Sequence, residues 1–291
     1  MIITALKLGK LPQKIDARTF QLRKLLVAAN LPPLPAEFDA DGSCPNLFDN
    51  FMFANDKYGD CVIAGRAHMT LRFECFEQKK IIVISDTDVL NAYWHETGGN
   101  DSGLIMLDSL RVWRKEGWTA AGNPYNIYAF AQVTIKHHDD VKYSVLLLNG
   151  AYIGLNLPLS AKSQLGKVWS VVSGPDSEVG SWGGHCVYVK SYNAIGPVCV
   201  TWGKPQQMTW AFLDKYCDEA YAVIDNRNTW IDPANNPLNC ELLESLLKQF
   251  CDSPIEPNPN PPSPPTPPEP WYQGIVDFFQ AILNAIRGWF K

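Results

Sequence analysis

Two segments of the chain carry the residue types needed for thiol chemistry. Residues 55–61 place Cys61 directly after a Gly-Asp turn, at the start of a predicted buried helix. Residues 183–189 place His185 directly after a glycine pair, at the start of a predicted strand. A thiolate nucleophile needs a lowered pKa, which a helix N-terminus and a neighbouring imidazolium both provide. The sequence therefore predicts Cys61 as a nucleophile and His185 as its base.

The order and spacing of these two residues resemble those of papain-like cysteine peptidases. Six positions before Cys61, Asn55 stands where that family has the glutamine that binds the oxyanion. Other segments similar to the family's lie in the family's order at 34–39, 103–117, 199–203 and 221–224. The resemblance therefore runs from about residue 34 to 232. The resemblance implies that the Asn55 amide and the Cys61 backbone N–H stabilise the oxyanion.

The chain also departs from that family at the residue that orients the histidine. Matching Trp202 to the family's Trp-Gly pair puts Val200 where the family has asparagine. Thr201 is adjacent, but neighbouring strand residues face opposite sides, so we expect Thr201 to replace the asparagine only if a bulge intervenes. Asp60 as a carboxylate would raise the pKa of the Cys61 thiol. Its alternative role is to cap the helix.

The pattern of predicted elements indicates an α+β fold with two lobes, a helical lobe followed by a β-rich lobe. The helices are predicted at 61–78, 86–95 and 103–116. Strands are predicted at 127–135, 142–148, 151–155, 185–192, 197–202 and 220–224, with residues 137–140 as a polar turn between strands. The active site would then lie between the lobes, with Cys61 on the helical side and His185 on the sheet side.

The chain divides into five regions. Residues 1–33 form a basic N-terminal segment with a predicted helix at 17–29. The resemblance implies that such a segment could block the cleft, as in zymogens; the alternative is a helix that packs on the domain surface. The papain-like domain spans 34–232, and 233–252 hold its short C-terminal helix, predicted at 238–250. Residues 253–270 are a Pro-rich linker, and 271–291 are an amphipathic docking helix.

The C-terminal regions predict a tether. Ten prolines fall between 254 and 270, a composition that favours polyproline II and a semi-rigid spacer. The following helix has a wide apolar face, so we expect it to dock on a protein partner or on a second copy of the chain. A membrane surface is the weaker alternative, because the polar face carries only Arg287 and Lys291 as cations.

Composition excludes several other classes of function. A net charge of −5 and a pI near 5.6 give no basic surface for nucleic acid. The eight cysteines are dispersed without metal-ligand spacing, so no metal or other cofactor is predicted, and most are interpreted as buried thiols. His68, His95, His137 and His138 are interpreted as structural. The N-terminus does not read as a signal peptide, which predicts synthesis in the cytoplasm.

Two functions remain open at this point. The first is a papain-like cysteine peptidase or related amide hydrolase, acting on protein or on peptidoglycan and tethered to a larger assembly by its C-terminal helix. The second is a catalytically inactive papain-like component of a large complex such as a viral particle.

Overall fold

The computed structural model describes residues 6–39, 44, 47, 51–76, 78–225 and 237–250. The predicted Pro-rich linker and docking helix at 253–291 lie outside these residues. The α-helices are α1 (Leu22–Leu25), α2 (Cys61–Phe76), α3 (Asp86–Thr97), α4 (Met106–Lys115), α5 (His138–Leu147), α6 (Ser160–Ser163), α7 (Trp210–Tyr216) and α8 (Cys240–Phe250). The strands are β1 (Phe38–Asp39), β2 (Trp118–Ala120), β3 (Asn123–Tyr125), β4 (Ile127–Gln132), β5 (Ala151–Leu157), β6 (Gly183–Tyr192), β7 (Pro197–Thr201), β8 (Lys204–Gln207) and β9 (Cys217–Asp225).

The central sheet is antiparallel and has the strand order β4-β9-β5-β6-β7-β8, with β1 paired to β6. The long strand β6 lies between β5 and β7, and its first residues, Gly183 to His185, pair with the end of β5. A two-residue turn at Trp202 and Gly203 joins β7 to β8; both residues have positive φ, 45° and 71°. Positive φ at both central positions is typical of the tight hairpin turn that suits twisted strands.

The sheet separates two hydrophobic cores. On one side, helices α2, α3 and α4 pack together with the sheet residues Tyr152, Tyr188 and Val200. On the other side, helices α1, α5, α7 and α8 cover the alternate residues of the same strands, such as Val187 and Val189. Residues 61–75 of α2 are all buried, because this helix packs against β6 inside the molecule. The predicted two-lobed α+β architecture is confirmed.

The capping residues explain where α3 begins and ends. Ser85 and Asp88 form a reciprocal capping box at the start of the helix, as the Ser85-Asp86 pair in the sequence predicts. The helix ends at Gly98, which adopts the left-handed conformation with φ 63°.

The segment after β4 contradicts the sequence prediction. Residues 142–148 were expected to form a strand and 137–140 a turn, but His138–Leu147 form α5. Val141, Ser144 and Val145 are buried on one face of that helix. Their spacing of three and four residues is the helical period, which a short run rich in β-branched residues obscures.

The N-terminal helix is shorter than predicted. The structure has only the single turn α1 and a 3-10 turn at Ala28–Asn30 within the expected 17–29 region. Leu22 and Leu25 are buried against the domain, and the backbone N–H of Asn239 bonds to the Leu25 carbonyl before α8. This part of the chain therefore packs on the domain surface, the alternative considered above.

One cysteine pair differs from the expectation of free thiols. Cys44 and Cys75 form a disulfide, joining α2 to the chain that precedes it. The free cysteines in the described part of the chain are Cys61, Cys186, Cys199, Cys217 and Cys240. Sequence spacing could not have revealed the pair, because its geometry depends on where α2 ends. Among the described residues, no helix is long and apolar enough to cross a bilayer.

Candidate active site

Cys61 is the first residue of α2, as predicted. Its Sγ accepts a hydrogen bond from the backbone N–H of Cys186, at 3.4 Å, and Cys186 is the residue next to His185. The thiol is buried, with 1% exposure. Burial raises the pKa of Cys61 to about 12, although backbone hydrogen bonds from Cys186 and Gly9 act in the opposite direction. In this state Cys61 is a neutral thiol.

His185 lies at the start of β6 and is also buried. Its Nε2 is hydrogen-bonded to Thr201 Oγ1 at 2.7 Å, whereas Nδ1 has no hydrogen-bond partner among the described residues. The imidazole stacks on the Trp202 indole, with centroids 4.3 Å apart and planes 11° apart. Burial lowers the pKa of His185 to about 3, so the ring is neutral. A neutral imidazole whose Nε2–H donates to Thr201 has its lone pair on Nδ1.

The bulge that Thr201 needs in order to replace the asparagine is present, because the β6–β7 pairing shifts its register between Val189 and Ser191. In the β6–β7 pairing Tyr188 lies opposite Val200, so these two side chains share one face of the sheet. Thr201 is one residue from Val200, and His185 is three residues from Tyr188. Because side chains alternate along a strand, Thr201 and His185 both lie on the other face. The pairing register therefore places Thr201 beside His185 and turns Val200 into the opposite core, which also contains Cys61.

Asn55 and Asp60 form a buried polar pair beside Cys61. The Asn55 amide donates to Asp60 Oδ1 at 2.9 Å and to the Tyr58 carbonyl at 3.1 Å, which uses both of its hydrogens. Asp60 Oδ2 has no hydrogen-bond partner among the described residues. The side chain of Asp60 thus bonds to Asn55, while its backbone carbonyl accepts the first hydrogen bonds of α2 from Ile63 and Ala64.

Burial also changes the charge of Asp60. Desolvation raises its pKa to about 8, against the opposing hydrogen bond from Asn55. The carboxyl group is therefore mostly protonated at neutral pH. A neutral Asp60 exerts little repulsion on a Cys61 thiolate, which removes the conflict seen in the sequence.

Asp60→Asn should change how stability depends on pH. The folded chain keeps the Asp60 proton between pH about 4 and about 8, where the unfolded chain has lost it. Over that window the Asp60 contribution to the free energy of unfolding therefore falls, by about 1.4 kcal/mol per pH unit. Urea unfolding should show that the free energy of unfolding of Asp60→Asn rises relative to that of the wild type as the pH increases from 5 to 8. Asp176→Asn, at an exposed site, is the control, and a pH-independent difference for Asp60→Asn would contradict the buried, protonated carboxyl.

An extended N-terminal segment, residues 6–11, lies over the candidate site. Its backbone bonds to both lobes. Lys10 N–H donates to the Gly184 carbonyl at 3.1 Å, next to His185, and Lys7 N–H donates to the Asn55 carbonyl at 3.2 Å. Lys10 also pairs in parallel with Leu104, through Leu11 N–H to Leu104 O at 2.9 Å and Leu104 N–H to Gly9 O at 2.8 Å.

Glycines make this close approach possible. A Cβ added at Gly9 would overlap the carbonyl group of Gly59, and one added at Gly184 would overlap the Lys10 carbonyl oxygen. Backbone therefore meets backbone on both sides of the cleft, and the sulfur of Cys61 is covered by Gly9. This segment was not predicted, because a blocking role was expected only of the helix that follows it. The isolated Gly9 between Leu8 and Lys10 was the available signal.

The other histidines have structural environments. His68 is buried in α2, bonds through Nε2 to the Phe51 carbonyl at 3.2 Å and packs against Phe53. Burial lowers its pKa to about 4. His95 lies on the surface beside Glu116, and His138 bonds to Asp214. In the described part of the chain, no three His, Cys, Asp or Glu side chains cluster as metal ligands would.

No protein-family model and no curated protein matches this chain. Solved structures do match it. Xylellain, a cysteine protease from Xylella fastidiosa, aligns at a TM-score of 0.58 and 15% identity over 76% of this chain and 97% of its own. ProCathepsin B S9 from Trypanosoma congolense aligns at a TM-score of 0.57 and 15% identity, over 77% of this chain and 89% of its own.

These neighbours share the arrangement derived above, a helical lobe and a β-rich lobe on one chain. Sequence identities of this size establish the architecture and leave the chemistry to the residues of this chain. The chain has the fold of the papain-like cysteine peptidases.

Proposed function

We propose that this protein is a cysteine peptidase or related amide hydrolase that uses Cys61 and His185. One observation carries the proposal. Cys61 at the N-terminus of α2 touches the backbone beside His185, whose Nδ1 is unpartnered among the described residues while Nε2 is held by Thr201. A nucleophile, a base and a group that orients the base are the three parts such chemistry requires.

The reaction follows from those roles. His185 Nδ1 takes the proton of the Cys61 thiol, and the thiolate attacks the carbonyl carbon of the scissile amide. The oxyanion is stabilised by the Cys61 backbone N–H and by the Asn55 amide, which must first release Asp60 or Tyr58. His185 then gives its proton to the leaving amine. Water, activated by His185, hydrolyses the thioester and returns Cys61 to a thiol.

Residues 6–11 hold this site in a closed form. They bury Cys61 and His185, and burial is the main cause of the high pKa of the thiol and the low pKa of the imidazole. Displacing the segment would hydrate both groups and allow the thiolate–imidazolium pair to form. We therefore propose that activity requires this segment to leave the cleft. A partner could displace it, cleavage could remove it, or a substrate could compete with it.

Thr201→Val should lower turnover without changing the fold. Valine has nearly the shape of threonine but leaves Nε2 of His185 unpaired in a buried site. The loss of a buried hydrogen bond costs about 1–3 kcal/mol, or roughly 10-fold to 100-fold in turnover. The change is measured by peptide hydrolysis, or by the rate at which Cys61 is alkylated, in an opened chain, one from whose cleft residues 6–11 have been displaced. Thr209→Val, at the N-cap of α7, is the control variant. Full activity in Thr201→Val would remove Thr201 from the site.

The alternative proposal is a catalytically inactive component of a larger assembly, such as a viral particle. The observations that favour it are the sealed cleft and the Asn55 amide, which is fully used by Asp60 and Tyr58. Alkylation separates the two proposals. Iodoacetamide or E-64 should label Cys61 ahead of the other cysteines of an opened chain if the site is active. Labelling of the partly exposed Cys217 and exposed Cys240 alone would favour the inactive component.

We also propose that residues 271–291 dock on a protein partner or on a second copy of the chain. Burying five or six large apolar side chains would give of order 10 kcal/mol of gross driving force, enough to offset ordering of a tethered helix. The Pro-rich linker provides the reach.

Placing charge on the apolar face of that segment should abolish docking. The variant Ile282→Lys/Ile286→Lys is compared with Gln280→Lys/Asn284→Lys, which adds the same charges to the polar face. Light scattering and partner co-purification are expected to change only for the first variant. Loss of liposome binding alone would establish the membrane alternative, and identical behaviour of both variants would contradict docking.

A further inference from the structure

The side chain of Lys10, the residue after the Gly9 that covers Cys61, fills a buried acidic pocket. Its Nζ lies 2.8 Å from Asp218 Oδ2 and 3.3 Å from Glu219 Oε1. The Lys10 and Glu219 side chains are fully buried, whereas Asp218 is 22% exposed. The pocket therefore opens to solvent on the side of Asp218.

The walls of this pocket fit a long, straight side chain. A Cβ added at Gly154 would overlap the Lys10 side chain, so the absence of a side chain there provides room for its aliphatic part. Asn156 donates to Asp218 Oδ2 at 2.9 Å, and the Tyr221 hydroxyl donates to Glu219 Oε2 at 2.9 Å. These two bonds fix the carboxylates in place independently of Lys10.

The pocket belongs to the cleft and not to the interior of one lobe. Lys10 reaches it from the segment that covers the site, with its backbone N–H on the Gly184 carbonyl and with Gly9 on Cys61. When residues 6–11 leave, Asp218 and Glu219 remain beside the open cleft with no cation between them. Two carboxylates in a mostly buried site strongly favour a replacement cation.

Lys10 does not use all the acceptors of this pocket. Asp218 Oδ1 is buried and has no hydrogen-bond partner in the described part of the chain, and Glu219 Oε1 has only the 3.3 Å ion pair with Lys10 Nζ. An ammonium is a compact charge, whereas a guanidinium presents five N–H donors in a plane and bonds to carboxylates in pairs. An arginine side chain would bond to Asp218 Oδ1, which Lys10 leaves without a hydrogen bond, as well as to Glu219 Oε1.

We propose that Asp218 and Glu219 form a substrate subsite for a basic side chain, arginine in preference to lysine, and that Lys10 occupies this subsite in the closed form. The inference rests on the proposed hydrolase function for its biological meaning. The pocket itself can be tested without catalysis.

The first test uses Lys10→Ala, which empties the pocket. Propylguanidine at ten times its Kd should raise the Tm of this variant by about 3–6 °C, and n-propanol should not. Lys14→Ala removes a lysine from an exposed ion pair with Asp108 and is the matched control. Lys10→Ala/Glu219→Gln should lose the response. Equal shifts in Lys10→Ala and Lys14→Ala, or an equal effect of n-propanol, would overturn the subsite.

The second test measures peptide cleavage by the Gly9→Leu chain. The leucine side chain would overlap the Gly59 carbonyl and so displace residues 6–11 from the cleft. Peptides that differ only by arginine, lysine or norleucine at each of the three positions before the scissile bond are compared by kcat/KM. At one position arginine should exceed norleucine by about 100-fold, with lysine between them, and Glu219→Gln should remove most of that preference. Equal cleavage of arginine and norleucine peptides would overturn the inference. Cleavage of no peptide would count against the hydrolase, while the thermal shift still decides the pocket.

Discussion

Gly9→Leu is expected to raise the rate at which iodoacetamide alkylates Cys61 at pH 7, by up to about 10³-fold. A side chain at position 9 overlaps the Gly59 carbonyl, so the segment 6–11 cannot keep its place over Cys61. The thiol then becomes hydrated, and its pKa falls from about 12 toward or below the ordinary value. The gain in reactivity follows from the larger thiolate fraction.

A matched variant separates displacement of the segment from general loosening of the domain. Ala17→Leu adds the same side chain at an exposed position outside the cleft, and its alkylation rate should equal that of the wild type. Circular dichroism and Tm should show that the Gly9→Leu chain remains folded. A folded Gly9→Leu chain whose Cys61 reacts no faster than in the wild type would contradict the covering role of residues 6–11.

In a chain from whose cleft residues 6–11 have been displaced, His185→Ala is expected to lower the rate of Cys61 alkylation at pH 6 by about 10²-fold. An isolated thiol with an ordinary pKa near 8.5 is less than about 1% ionised at pH 6, whereas a thiol paired with imidazolium is mostly ionised. The variant removes the imidazole that bonds to Thr201 and stacks on Trp202.

The pH profile shows whether His185 acts through charge or through packing. With His185 present, the alkylation rate should rise at a pH well below 8; without it, the rise should move to about 8.5. His95→Ala removes a surface histidine that bonds to Glu116 and should leave the profile unchanged. Identical profiles for His185→Ala and the opened parent would show that Cys61 is not activated by His185.

Short-range sequence signals located the starts of the two elements that carry Cys61 and His185. The Gly-Asp pair before Cys61 marks the start of α2, and the Gly183–Gly184 pair marks the start of β6, so turn chemistry located both positions. The position of Thr201 depended instead on the pairing register of β6 and β7, which a single strand does not encode. Side-chain alternation then put Thr201, and not Val200, beside His185.

The features that sequence reasoning missed are set by distant contacts. The segment 6–11 lies in the cleft through backbone hydrogen bonds, which leave little pattern beyond the small residues at Gly9 and Gly184. The charge of Asp60 was misjudged for the same reason. A carboxylate is the normal form in water, and only burial by the folded chain raises its pKa to about 8.

Peptide hydrolysis by the Gly9→Leu chain would show whether Cys61 is a catalytic nucleophile. Mass spectrometry of a mixed peptide library, incubated with Gly9→Leu and with Gly9→Leu/Cys61→Ala, would report every cleaved bond. We expect cleavage by the first chain and none by the second. No cleavage by a folded Gly9→Leu chain in which Cys61 is accessible to iodoacetamide would contradict it.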